Sequence, residues 1–361
     1  MKSVALPSSL FRPEILALSA YKVADASGMV KLDAMENPYH WPEDIKAAWL
    51  AELQDCPINR YPDPEARQLA ATLREVEQIP ADFDILLGNG SDEIIQMLLM
   101  ALPPTASVLA PAPGFVMYKQ LSDSLSLRYH AIPLVADGFS LDLPALLATI
   151  AAHQPSVIFL AYPNNPTANL FDPAAMIAII EAAHGLVVID EAYAPFAHAT
   201  FMDKLAAYDN LLVMRTVSKL GLAGLRLGYL VGQPKWLGEL NKIRLPYNIN
   251  SLTQITADFA LRHKPLFDGQ TQRICEQRAV VMAHINALPG LLAYPSAANF
   301  ILFKTPSGQA DAIFAALKAQ GVLIKNLSPQ GGLLADCLRV TVGTPEENAA
   351  FLQALGQSLK D

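Results

Sequence analysis

From about residue 80 to 235 the chain alternates short apolar runs with amphipathic stretches of helical length, and that alternation leaves few folds open. The runs include Ser107–Ala110, Ser156–Ala161, Leu186–Ile189, Leu211–Met214 and Leu227–Val231. They are rich in Val, Ile and Leu and mostly lack polar alternation, as strands covered on both faces must. Between them lie helix candidates such as Asp172–Ala183, which opens with Asp172 as N-cap and Pro173 at the first helical position. Strand, helix, strand in repetition predicts an α/β domain built on a mostly parallel sheet sandwiched by helices.

The last hundred residues carry another pattern. A long helical stretch around Gln270–Leu288 leads to a strand over Ala298–Phe303 and a helix over Gln309–Ala319. Val322–Lys325 and Cys337–Val342 read as strands, and a closing helix starts at Pro345. This predicts a smaller α+β unit. The first forty-odd residues have little periodicity and are expected to cross the surface or to join that unit. With 52% hydrophobic and 17% charged residues in 361, there is ample material for one large or two modest cores.

Composition also removes several function classes. A formal charge of -8 with no long run of one sign argues against nucleic-acid or anionic-membrane partners. Cys56, Cys275 and Cys337 are far apart and form no CxxC pair, which suggests buried or indifferent thiols in a reducing compartment. Prolines and an acid interrupt the first residues where a signal peptide needs an apolar stretch, and the run Ile94–Leu102 is too short to span a bilayer. A soluble, cytoplasmic protein is expected. The seven histidines show no ligand spacing, His184 and His198 included, so no metal site is expected. Neither a GxSxG elbow nor a GxxxxGK[ST] loop occurs.

Four segments carry chemistry. In TVSKLGLAGLRLGY (Thr216–Tyr229), Lys219 follows an apolar strand and precedes a glycine-rich turn and Arg226. The carboxyl edge of a parallel sheet is where such folds bind ligands, and burial there would lower a lysine's pKa and make it a usable nucleophile. Most lysines are surface lysines, so this segment alone decides nothing. LVVIDEAY (Leu186–Tyr193) ends a strand with two acids and a tyrosine, which would turn Asp190 toward a ligand. AYPNNPT (Ala161–Thr167) ends another strand in a tight turn with Asn165 and Thr167 as polar groups. GNGSDEII (Gly88–Ile95) sets small residues before a helix, with Ser91 expected as its cap and Asp92 and Glu93 at its positive end. Such a helix start can bind phosphate, although each segment taken singly also reads as an ordinary turn, cap or solvated acid pair.

Taken together and in this order, the segments resemble the fold type I pyridoxal-phosphate aminotransferases. The resemblance runs from KLDAMENP (Lys31–Pro38) through NRYPDP (Asn59–Pro64) to CLRVTVG (Cys337–Gly343) and is nearest to the branch that uses histidinol phosphate. It implies a large cofactor domain over 46–255, with 1–45 and 256–361 forming an N-terminal arm plus a small C-terminal domain. It implies a Schiff base between Lys219 and pyridoxal 5'-phosphate, and a proton shuttle by the same lysine. Asp190 would pair with the pyridine nitrogen, since a carboxylate there keeps the electron sink protonated. Tyr193 and Asn165 would contact the ring's 3′ oxygen, and Phe115 in PAPGFVMY would stack on the ring where relatives often carry tyrosine. Ser218, Arg226 and the backbone N–H groups of Ser91 and Asp92 would hold the phosphate, an arginine fork pairing with two oxygens at once.

The resemblance further implies a homodimer with shared active sites, Tyr61 reaching the neighbouring subunit's cofactor phosphate. Arg339 matches the arginine that binds the substrate's anionic group, and Tyr21 an N-terminal tyrosine near the substrate. Lys325 in GVLIKNL stands where relatives usually carry arginine, keeping the charge but losing bidentate geometry. The span from Lys219 to Arg226 is one residue shorter than in many relatives, which suggests a tightened turn. The expected reaction is amino transfer between L-histidinol phosphate and 2-oxoglutarate, giving imidazole-acetol phosphate and L-glutamate. Three alternatives remain open: a threonine-phosphate decarboxylase-like lyase, an aromatic amino-acid aminotransferase, and an inactive regulatory protein on the same fold.

Overall fold

The computed structural model describes residues 6–20 and 23–359. The first strand, β1 (Val30–Lys31), belongs to the smaller unit, where it runs parallel to Val322–Leu323. Seven strands then build the central sheet: β2 (Asp84–Gly88), β3 (Ser107–Ala112), β4 (Arg128–Pro133), β5 (Val157–Ala161), β6 (Leu186–Asp190), β7 (Leu211–Thr216) and β8 (Gly228–Gly232). Their order is β2-β8-β7-β6-β5-β3-β4, and only β8 runs against its neighbours.

The apolar runs predicted strands buried on both faces, and the packing has that form. Ile158, Leu160, Val187, Ile189 and Val213 enter the core on one side of the sheet. Their chain neighbours Val157, Phe159, Val188, Leu212 and Met214 enter the core on the other. Alternation of side chains along a strand therefore serves two cores at once, which leaves no face for polar residues. Helices cover both sides. The one at Pro173–Ala182 starts as the sequence implies, with Asp172 accepting from the Ala174 N–H at 3.1 Å.

The smaller unit continues with β9 (Leu292–Ala293), β10 (Phe300–Lys304), β11 (Val322–Leu323), β12 (Lys325–Asn326) and β13 (Cys337–Thr341). β12, β13, β10 and β9 form an antiparallel sheet, against which the helices Lys264–Ala287, Ala310–Ala319 and Pro345–Ser358 gather. Thr344 and Glu347 close a capping box at the start of the last helix. The stretch expected as one strand over Val322–Lys325 divides in two, because Val322 and Leu323 pair with the N-terminal arm while Lys325 and Asn326 pair with β13. The arm thus joins the smaller unit. Among the described residues no helix is long and apolar enough to cross a membrane.

One expectation is corrected. Ser91 does not cap its helix: it is the first helical residue, and the cap position falls to Gly90 at φ 83°. A Cβ on Gly90 would stand 2.6 Å from Arg226 Nη2, so glycine answers both the backbone angle and the close approach of the guanidinium.

The two acids that follow β6 separate. Glu191 is buried and accepts from Thr200 Oγ1, from the Phe201 N–H, and from Arg215 Nη2 at 2.8 Å. Arg215 pairs with Glu77 as well. Removing one partner from a buried pair strands the remaining charges, a loss of about 3–5 kcal/mol. Arg215→Met is expected to lose stability in that range in urea unfolding, whereas Lys235→Met, at an exposed surface pair, is expected to lose about 1 kcal/mol or less.

Candidate active site

Strand register brings the chemistry together. Ala161 lies beside Asp190, and Asp190 beside Met214, on neighbouring parallel strands. The segments leaving β5, β6 and β7 therefore emerge side by side, carrying Asn165, then Asp190 and Tyr193, then Ser218 and Lys219. Gly228 at the start of β8 pairs with Thr216 on one side and with Gly88 on the other. That register sets Arg226 and the helix start at Ser91 against the lysine turn. Gly228 has no room for a side chain, since a Cβ there would meet the Ser91 nitrogen at 2.6 Å.

One cavity results, lined by Ser91, Asp92, Phe115, Asn165, Asp190, Tyr193, Ser218, Lys219 and Arg226, with Met35, Ala161, Pro163, Ala192 and Thr216 completing its wall. The lysine turn is built from two short 3-10 segments, Ser218–Leu220 and Ala223–Leu225, with Gly221 at φ 125° between them and Arg226 left-handed after them. Thr216 Oγ1 steadies its entry, accepting from the Ser218 N–H at 3.1 Å and donating to Leu227 O at 2.9 Å.

Charges in the cavity are perturbed in complementary senses. Burial, with Arg339 next, lowers the Lys219 ammonium to a pKa of about 8 from 10.5. Its Nζ reaches Ala34 O at 3.4 Å. Burial raises the Asp190 carboxyl to about 6, opposed by hydrogen bonds from the Tyr118 hydroxyl and the Ala192 N–H. Asp92, raised by burial and drawn down by Arg226, has its Oδ1 buried without a hydrogen-bond partner, while Oδ2 stands 3.6 Å from Arg226 Nη2.

These residues suit a phosphorylated pyridine aldehyde. A helix start with backbone N–H groups, the Ser218 hydroxyl and the Arg226 guanidinium form a phosphate-type donor set. The glycine at 90 keeps the guanidinium against that helix start. A buried acid that is costly to ionise favours a positively charged partner such as a protonated ring nitrogen. A largely buried lysine of lowered pKa supplies the amine.

Asn165 Nδ2 contacts Tyr193 Oη at 3.3 Å, and Arg339 Nη1 donates to Asn165 Oδ1 at 2.6 Å. Arg339 also donates to Asp33 O and lies over the Phe300 ring at 5.2 Å, so the β13 arginine borders the cavity through Asn165. Lys325 is in register with Arg339 on β12. Tyr61 is not among the lining residues; it is 81% exposed and stacks on Tyr247 at 4.5 Å. Tyr21 lies outside the described residues.

Three site residues were not read from the sequence. Thr216 opens the lysine motif with nothing local to mark it as part of the wall. Met35 occupies left-handed backbone at φ 54°, held by Thr341 Oγ1 and Asn299 Nδ2, with its sulfur 3.6 Å from Tyr193 Oη. Tyr118 stands behind Asp190; its only sequence signal was its place three residues after Phe115.

Comparison with known proteins identifies the family. The sequence profile of a family described as "Aminotransferase class I and II" matches residues 27–355. The chain is 58% identical to histidinol-phosphate aminotransferase 2 of Nitrosococcus oceani, over 97% of each protein. It is 52% identical to histidinol-phosphate aminotransferase 1 of Ralstonia nicotianae, over 98% of this chain and 95% of that one. The crystal structure of histidinol-phosphate aminotransferase from Sinorhizobium meliloti, in complex with pyridoxal-5'-phosphate, shares the fold with a TM-score of 0.87 at 24% identity, over 98% of each chain.

The lowered Lys219 pKa has a measurable sign. Between about pH 8 and 10.5 the unfolded chain keeps a proton that the folded chain has released, so this group's contribution to stability rises with pH across that window. In cofactor-free protein, amine-directed labelling of Lys219 is expected to rise with a midpoint near pH 8. Mass spectrometry of labelled peptides reads the midpoint, and a value near the ordinary lysine pKa of about 10.4 would remove the case for an activated lysine.

Proposed function

Because the chain belongs to the class I and II aminotransferase family, we propose that it transfers an amino group between L-histidinol phosphate and 2-oxoglutarate, giving imidazole-acetol phosphate and L-glutamate. The observation that carries the reading is a lysine of lowered pKa and a buried acid lining one cavity. The names of relatives at 58% and 52% identity support the amino donor, and the pyridoxal-phosphate complex of a structural neighbour supports the cofactor.

Pyridoxal phosphate, when bound, supplies an aldehyde that joins primary amines and a ring that withdraws electrons from the joined carbon. Lys219 holds the aldehyde end. Freed by substrate, its amine would take the proton from the substrate Cα and deliver it to the former aldehyde carbon, on the far side of the amino nitrogen. Asp190 faces the ring nitrogen and favours its protonated form. Asn165 and Tyr193 hold the ring oxygen, and Phe115 covers the ring. Ser91 and Asp92 through their N–H groups, with Ser218 and Arg226, hold the phosphate.

Arg339 orients the substrate's anion, carboxylate or phosphate in turn, with Lys325 adding positive charge from the adjacent strand. Asn165, bonded to both Arg339 and Tyr193, links the substrate anion to the cofactor ring. The working unit is a homodimer. Tyr61 belongs to the neighbour's phosphate site, a role supported by its exposure together with that of Ile58 and Leu245, since apolar groups of that size favour cover by a second copy. We place the protein in the cytoplasm, a reading supported by three free cysteines. The large domain is assigned to 46–255, and the arm with the small domain to 1–45 and 256–361.

Half-reactions test the substrate. The cofactor-loaded protein, mixed separately with histidinol phosphate, glutamate, phenylalanine and O-phosphothreonine, is expected to lose its lysine-bound cofactor absorbance fastest with histidinol phosphate. Carbon dioxide released from O-phosphothreonine would instead identify a lyase. Lys219→Ala is expected to lower turnover by about 10⁴-fold or more, because one residue supplies both the covalent link and the proton transfer.

A further inference from the structure

Asp190 is the acid on which the proposed chemistry turns, and what lies behind it is not part of the cavity. The Tyr118 hydroxyl donates to Asp190 Oδ2 at 2.6 Å, while the Ala192 N–H donates to Oδ1 at 3.1 Å. Tyr118 is fully buried. Its ring stacks on Phe159 of β5 at 4.5 Å and 7°, and meets Phe115 edge-on at 5.5 Å. Phe115 lines the cavity and Tyr118 does not. The helix Val116–Ser124, whose N-cap is Phe115, therefore sets one aromatic residue at the cofactor and another behind the acid. Ser122 Oγ, donating to Tyr118 O at 2.7 Å, ties that turn of the helix further.

We propose that Tyr118 is a positioning residue, whose hydroxyl holds the Asp190 carboxylate ionised and aimed at the cofactor's ring nitrogen. This rests on the function proposed above. The carboxylate needs such help because burial opposes its charge, and Asp92 on the helix Ser91–Met100 and neighbouring Glu191 oppose it further. A donor to the ionised form offsets that opposition. Tyrosine suits the task better than a group that titrates near neutrality. Burial and Asp190 itself push the phenol well above its ordinary value, so the hydroxyl stays a donor throughout the working pH range. Ring stacking fixes the direction from which it donates. With one oxygen held by the phenol and the other by the Ala192 N–H, rotation of the carboxylate would break both bonds.

The test uses holoenzyme carrying cofactor labelled with ¹⁵N in the ring, wild type beside Tyr118→Phe. Borohydride reduction of the wild type, with the modified peptide identified by mass spectrometry, first checks that the cofactor sits on Lys219. Failure there would sink the proposed function and would say nothing against the Tyr118–Asp190 bond. In Tyr118→Phe, the ¹⁵N shift is expected to report ring-nitrogen deprotonation about one pH unit lower, the size of one lost hydrogen bond to a charged group. The kcat is expected to fall about tenfold with little change in KM for the amino donor, because the substrate's anion is held elsewhere. An unchanged ¹⁵N midpoint overturns the inference, whatever happens to activity. Should Tyr118→Phe fold poorly, 3-fluorotyrosine at position 118 keeps the ring and provides a stronger donor. The midpoint is then expected to move upward, and a stationary one overturns the inference equally.

Discussion

The registration of Gly228 between Gly88 and Thr216 is the constraint on which the rest of the site depends. It fixes how far the phosphate-type cradle at Ser91 stands from the lysine turn after β7, and it does so through backbone pairing. Because β8 runs against both neighbours, its first residue meets the last residues of β2 and β7, so a single strand start joins two strand ends. Its packing allows no Cβ. A larger residue would press on the Ser91 nitrogen, one of the groups suited to grip an anion.

Much of this was legible in the sequence, for identifiable reasons. Apolar runs without polar alternation announce strands buried on both faces, and Val187–Ile189 divides between two cores as such a run must. The Asp172-Pro173 start announced a helix that begins there. Lys219, Asp190, Asn165 and Arg226 each sit next to a strand end, where parallel topology gathers side chains whatever their separation along the chain. The segments could therefore be grouped before any distance was known.

What stayed hidden depends on contacts between distant segments. Ser91 satisfied every local rule for a cap, yet Gly90 holds that position because Arg226, far along the chain, leaves no space for a side chain. Tyr118 has only its place three residues after Phe115 to mark it in the sequence; its hydroxyl has meaning only because β6 ends opposite it. The acid pair at 190 and 191 read as one feature. Strand geometry sends the two carboxylates to different partners, a phenol for one and a guanidinium for the other. Local propensity cannot register any of these relations.

Met35 has a consequence for how the cavity is enclosed. Its backbone is fastened to Thr341 and Asn299 of the smaller unit, while its sulfur touches Tyr193 above the central sheet. One side of the cavity is thus fastened to the smaller unit and the other to the ends of the central strands. The space around the Lys219 amine is therefore bounded partly by the smaller unit, through a thioether whose flexible chain can adapt to what it touches.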